Sequence, residues 1–64
     1  MSTRVRSISY YPSERILEIV FVDSTNYQYI NVSKSTYNAF HKTKLKGRFF
    51  DNIIKGNYLC RKIG

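Results

Sequence analysis

The chain has one cysteine, Cys60, one histidine, His41, one proline and no tryptophan. A lone cysteine cannot close an internal disulfide, whereas secreted domains of this length are usually stapled by several. The expected compartment is therefore cytoplasmic. One histidine and one cysteine far apart in the sequence do not make a metal site, which needs clustered ligands. Acids are scarce too: Glu14, Glu18, Asp23 and Asp51 are scattered over turns and strands, so no acid–base pair can be assembled. No catalytic residue, metal or cofactor is expected, and the chain reads as a non-enzymatic binder. The longest apolar run is Ile19-Val20-Phe21-Val22, far short of the roughly 20 residues that cross a bilayer. The first residues lack the apolar run of a signal peptide. No membrane partner is expected.

The residues present describe a small, basic, aromatic-rich globule. With 64 residues the chain is read as one domain over positions 1–64, short enough that folding buries only about 60% of its unfolded surface. Six tyrosines and four phenylalanines supply large burial per residue and offset the short length. The net charge of +7 is unevenly placed. Arg4, Arg6 and Arg15 balance Glu14, Glu18 and Asp23, so the first half is neutral. From Lys34 onward only Asp51 opposes the lysines and arginines. A one-sided field of this kind attracts polyanions.

Hydrophobic periodicity predicts an α+β fold. Strands are expected over residues 4–11, 16–22 and 27–32, separated by the Pro12-Ser13-Glu14 break and a polar turn at 23–26. Together they form a three-stranded antiparallel meander. Alternation places Leu17, Ile19 and Phe21 on one face of it, and Ile16, Glu18, Val20 and Val22 on the other. Both faces are largely apolar, so the second is covered either by the C-terminal segment or by another subunit in a homodimer. Ser33 or Ser35 can cap a first helix running to about residue 43, with Tyr37 and Phe40 as its buried stripe. A second short helix begins near Gly47 or Arg48 and buries Phe49, Phe50, Ile53 and Ile54, with Gly56-Asn57 ending it. The two helices pack on one face of the sheet, and residues 58–63 alternate as a short C-terminal strand. Cys60 reads as a small, semi-buried hydrophobe and His41 as a solvated surface residue.

Two groups of residues are candidates for binding. Lys42, Lys44, Lys46 and Arg48 fall at alternate positions around the gap between the helices. Gly47 and Arg48 would sit at a helix start, where free N–H groups favour a phosphate, or they belong to a solvated loop. Arg61 and Lys62 add charge near the end, as an extension of the basic face or as a solvated tail. Tyr27 and Tyr29 lie on one face of a strand. With that face open the rings form a stacking platform for bases; with it closed they are core residues with hydroxyls at the rim.

The order of these features resembles the KTSC domain. The matching residues are Ile8 and Tyr10, then Leu17, Ile19 and Phe21, then Tyr27 and Tyr29. Val32 and Tyr37 follow, then Lys46-Gly47-Arg48-Phe49-Phe50, Ile54, Tyr58 and Arg61-Lys62-Ile63. The family occurs at the C-terminus of some lysyl-tRNA synthetases and as free-standing small proteins, and RNA binding has been suggested for it. Three positions depart from the family pattern: Ser33 replaces a usual proline, Leu45 a usual serine, and Cys60 an aromatic.

Taken together, these readings imply a nucleic-acid-binding module, for RNA or single strands more than duplex DNA. Lys42, Lys44, Lys46, Gly47, Arg48, Arg61 and Lys62 would contact phosphate, and Tyr27 and Tyr29 would stack on bases. The alternatives are an oligomeric binder of a small phosphorylated ligand such as a nucleotide, or a module that docks on an acidic protein.

Overall fold

The structure, a computed structural model, describes residues 5–63. Arg4, expected to open the first strand, lies outside them. Strands β1 (Val5–Tyr11), β2 (Ile16–Phe21) and β3 (Asn26–Tyr29) form the antiparallel meander. Helices α1 (Lys34–Lys42) and α2 (Lys46–Phe49) follow, and α2 continues directly into a π-helical turn over Phe50–Ile54. Strand β4 (Cys60–Lys62) then returns antiparallel to β3 and completes a sheet of order β1-β2-β3-β4.

The turns set the strand lengths. Pro12 opens the first turn, in which the Glu14 and Arg15 amides donate back to the Tyr11 and Pro12 carbonyls and Arg15 takes φ 57°. Asp23 pins the second turn by accepting from both the amide and the hydroxyl of Thr25. The third strand stops earlier than its composition suggests, because Asn31 adopts φ 62° and redirects the chain. Val32 is thereby turned into the core, where it is fully buried.

The helices form where the sequence signals place them. Ser33 caps α1 by accepting from the Thr36 amide at 3.2 Å, the role the usual proline would leave to another residue. α2 begins at Lys46, a residue earlier than its glycine suggests. In the π-turn, the Lys55 amide donates to the Phe50 carbonyl at 2.8 Å, five residues back. Gly56 follows at φ 82°, the left-handed conformation that ends helices cheaply only at glycine.

One core lies between the sheet and the helices. Leu17 and Ile19 from β2 and Tyr29 from β3 meet Phe40 of α1 and Phe50 and Ile54 of the π-turn. Tyr37 contributes by stacking on Tyr10 at 4.9 Å, and Phe40 stacks on Phe49 at 5.1 Å. Tyr10 also donates to the Val32 carbonyl at 2.7 Å, which ties β1 to the crossover. Of the second helix's expected apolar face, Phe50 and Ile54 are buried, while Ile53 is exposed.

Among the described residues no helix covers the opposite face of the sheet. Across its middle runs a cross-strand row, Ser9, Glu18, Gln28 and Arg61. Gln28 donates to Glu18, and Arg61 donates to Gln28 at 3.0 Å. The C-terminal segment extends the sheet at its edge instead of lying over this face. Val22, expected on this face, lies beyond the end of β2 and is exposed.

Candidate functional site

The basic stretch divides on folding. Lys46 reaches back to the end of α1, where its Nζ donates to the His41 carbonyl at 3.1 Å and to the Thr43 carbonyl at 2.8 Å. It therefore neutralises orphan carbonyls at a helix C-terminus. Two donors of Lys46, expected among the phosphate contacts, are thereby used within the fold. Gly47 and Arg48 lie in the first turn of α2, the helix start expected of them, and not in a solvated loop. α2 is a single turn with no side-chain cap at its N-terminus, and it runs on into the π-turn. Lys42, Lys44 and Arg48 remain exposed, and Arg48 flanks a shallow apolar hollow with Leu45, Phe49 and Ile53.

A second candidate group gathers elsewhere, in a cleft of about 490 Å³ between the β2–β3 hairpin and the π-turn. Its walls are the rings of Phe21, Tyr27, Tyr29, Phe50 and Tyr58. Phe21 meets Tyr27 edge to face at 5.7 Å and Phe50 at 5.3 Å, and Tyr29 meets Phe50 at 5.8 Å. Such edge-to-face contacts hold the rings in fixed orientations. None of Lys42, Lys44, Lys46, Gly47 and Arg48 lines the cleft.

The two candidate tyrosines have different roles. Tyr29 is buried, at 5% exposure, edge to face with Phe50. Burial pushes its phenol well above the usual tyrosine range, and the adjoining Cys60 adds to the shift. A ring in that position is core, so it forms the floor of the cleft and cannot act as a free stacking surface. Tyr27 is half-buried and presents part of its ring to the cleft.

Charged groups sit at the mouth. Asp23 and Lys55 line it, and Lys62 lies opposite Tyr27 in the β3–β4 register. The two hydrogen bonds from Thr25 hold the Asp23 carboxyl below its ordinary value, with Lys62 a smaller contributor. Arg61, one residue away, points to the other face of the sheet and is held by Gln28. The final pair of cations is therefore split between the two faces. Cys60 lines the cleft and is an exposed free thiol, not semi-buried.

Phe21, Phe50, Tyr58, Asp23 and Lys55 were not legible as site residues. Phe21 and Phe50 carry the signal of core residues, and only the hairpin's approach to the π-turn makes them walls. Among the described residues no group of three or more His, Cys, Asp or Glu could hold a metal ion. No helix among them is long and apolar enough to cross a membrane.

The sequence pattern of the KTSC domain matches residues 1–58. The chain belongs to the KTSC domain family. Its fold is similar to the crystal structure of KTSC domain protein YPO2434 from Yersinia pestis, with 48% sequence identity and a TM-score of 0.92. That similarity covers 100% of this chain and 92% of the other. No functionally curated protein matches the chain. Within this KTSC domain Lys46 donates to the end of α1, Phe49 stacks on Phe40 and Phe50 lines the cleft, while Arg48 is exposed.

Proposed function

We propose that this KTSC domain is a non-enzymatic binder of single-stranded nucleic acid, RNA in preference to duplex DNA, that takes one unpaired base into the aromatic cleft. The observation that carries this reading is a cleft lined by the partly exposed rings of Phe21, Tyr27 and Tyr58 over the buried rings of Tyr29 and Phe50, on a chain of net charge +7. Its volume falls in the range of sites that enclose small ligands, and its walls offer the π-faces on which any base can stack. Lys55 and Lys62 would meet the phosphates beside the inserted base, while Lys42, Lys44 and Arg48 extend the attraction along the strand. A duplex keeps its bases stacked, and α1, at nine residues, is a short reader for a major groove.

The single thiol supplies the test. Cys60 lines the cleft, so an occupied cleft should slow its alkylation by iodoacetamide. A labelled single-stranded RNA of about ten nucleotides should bind at low salt, with a log–log salt slope of roughly −0.7 per phosphate contacted. Tyr27→Ala should weaken binding roughly tenfold, the lower part of the stacking range, and Lys55→Glu should weaken it without disturbing the fold. Undetectable binding at low salt would sink the proposal, as would binding that leaves Cys60 equally reactive.

The size of the cleft favours one further reading, a site for a free nucleotide. In that case mononucleotides protect Cys60 as well as the oligonucleotide does, and affinity does not rise with strand length.

A further inference from the structure

We propose that the uncovered face of the sheet is the docking surface for a second copy of this chain, forming a two-fold symmetric sheet-on-sheet dimer. The strand register arranges that face in cross-strand rows. Tyr11 pairs with Ile16, and the Ile30 amide donates to the Leu59 carbonyl. Ile16 and Ile30 each lie one residue beyond the Leu17–Tyr29 pair that ends the β2–β3 register, and alternation puts the four residues on one face as an apolar row. Leu59 is 79% exposed, and Tyr11 and Ile30 are also exposed. The next row is the polar ladder of Ser9, Glu18, Gln28 and Arg61. Beyond it lie Ser7, Val20, Asn26 and Ile63.

The order within these rows identifies a copy of the chain as the partner. A two-fold axis parallel to the strands, passing between β2 and β3, lays β1 over β4 of the other copy and β2 over β3. Each row then faces itself. Tyr11 and Ile16 meet Leu59 and Ile30, which keeps apolar surface against apolar surface. In the middle row, Arg61 of each copy arrives over Ser9, one strand spacing from Glu18. The pairing occurs twice, as an isologous interface requires. Packed sheets cross at about 30°, a rotation a long arginine accommodates.

Charge excludes the polyanion proposed for the cleft from this face. The three rows carry one acid, Glu18, and one base, Arg61, on a chain whose net charge is +7, and Arg6 falls in the β1 bulge outside them. A balanced face bearing both signs suits a second copy of itself. It lets molecules that otherwise repel one another associate through a neutral side. About a dozen residues a side is below the usual 20–30 of a stable interface, so the dimer is a weak one that forms at high protein concentration.

Sedimentation equilibrium of nuclease-treated protein over a wide concentration range tests this. The expected result is a rise with concentration from the 7.6 kDa chain mass toward twice that value. Glu18→Arg and Arg61→Glu, examined separately, should each stay monomeric where the parent dimerises, because like charges then meet twice. An equimolar mixture of the two should dimerise again, because both cross-copy pairs regain opposite signs. Leu59→Asp, at a highly exposed position that does not threaten the fold, should also be monomeric. A parent that remains monomeric at about millimolar concentration overturns the proposal, as does a charge-variant mixture no heavier than its separate components. If neither charge variant folds, Leu59→Asp decides: dimerisation equal to the parent's overturns the proposal.

Discussion

Lys46 and Tyr29 carry the same residue types as their neighbours Lys44 and Tyr27, yet folding gives them different work. Lys46 donates to two carbonyls near the end of α1, whereas Lys44 is exposed. Lys46→Ala should therefore lower stability by about 1 kcal/mol, the usual worth of such a bond, while Lys44→Ala leaves it unchanged. Urea denaturation of the two variants separates them, and equal midpoints would refute the assignment. Tyr29 adds a pH dependence. Its phenol is raised by burial, so the folded state keeps a proton that the unfolded chain releases near pH 10. The stability it contributes is present below about pH 10 and is lost as pH rises through that value toward the folded one. Melting temperature should fall as pH rises past about 10, and Tyr29→Phe should flatten that fall. An undiminished decline in the phenylalanine variant would remove Tyr29 as its source.

At the scale of elements, the second helical segment joins stability to the cleft. α2 and the π-turn place Phe49 against α1 and Phe50 under the cleft. Gly56 then turns the chain back toward β4 at φ 82°. Gly56→Ala finds open space for its Cβ, so its penalty is conformational, on the order of 1 kcal/mol. Its effect should appear in chemical melts, with Cys60 alkylation reporting any change in the cleft. Removing the Ser33 cap with Ser33→Ala should cost about 1 kcal/mol. Phe40→Ala, at a fully buried position, should cost about 3–5 kcal/mol. In a chain this short that is enough to leave the variant largely unfolded, as circular dichroism would register. A folded Phe40→Ala would place the core elsewhere.

For the whole molecule, the arrangement is a sheet with two unlike sides. One side carries the core and the cleft, and the other carries balanced rows with no covering helix. The elements were legible in the sequence because their signals are local: Pro12 breaks a strand, Ser33 caps a helix, and Gly56 stops one. The candidate site was only partly legible. The concentration of charge after Ser33 was visible, and so was Tyr27. The aromatic cleft was not, because Phe21 and Phe50 are far apart in sequence and both look like ordinary core. The early end of β3 was also hidden, since an asparagine at positive φ is rare in a run of β-forming residues.

By itself, the sequence determined the alternation that builds the meander, the caps and stops of the helices, the family, and a basic second half facing a neutral first. These depend on neighbours a few positions apart, where steric preference and hydrogen-bonding reach decide the outcome. Only the tertiary structure decided which lysine would cap a helix and which tyrosine would be floor or wall. It alone decided that two separated phenylalanines would frame one cleft, and that Arg61 and Lys62 would part to opposite faces of the sheet. Those outcomes follow from the return of β4 alongside β3 and the packing of the π-turn under the β2–β3 hairpin. Such long-range contacts depend on how the whole chain closes around its core.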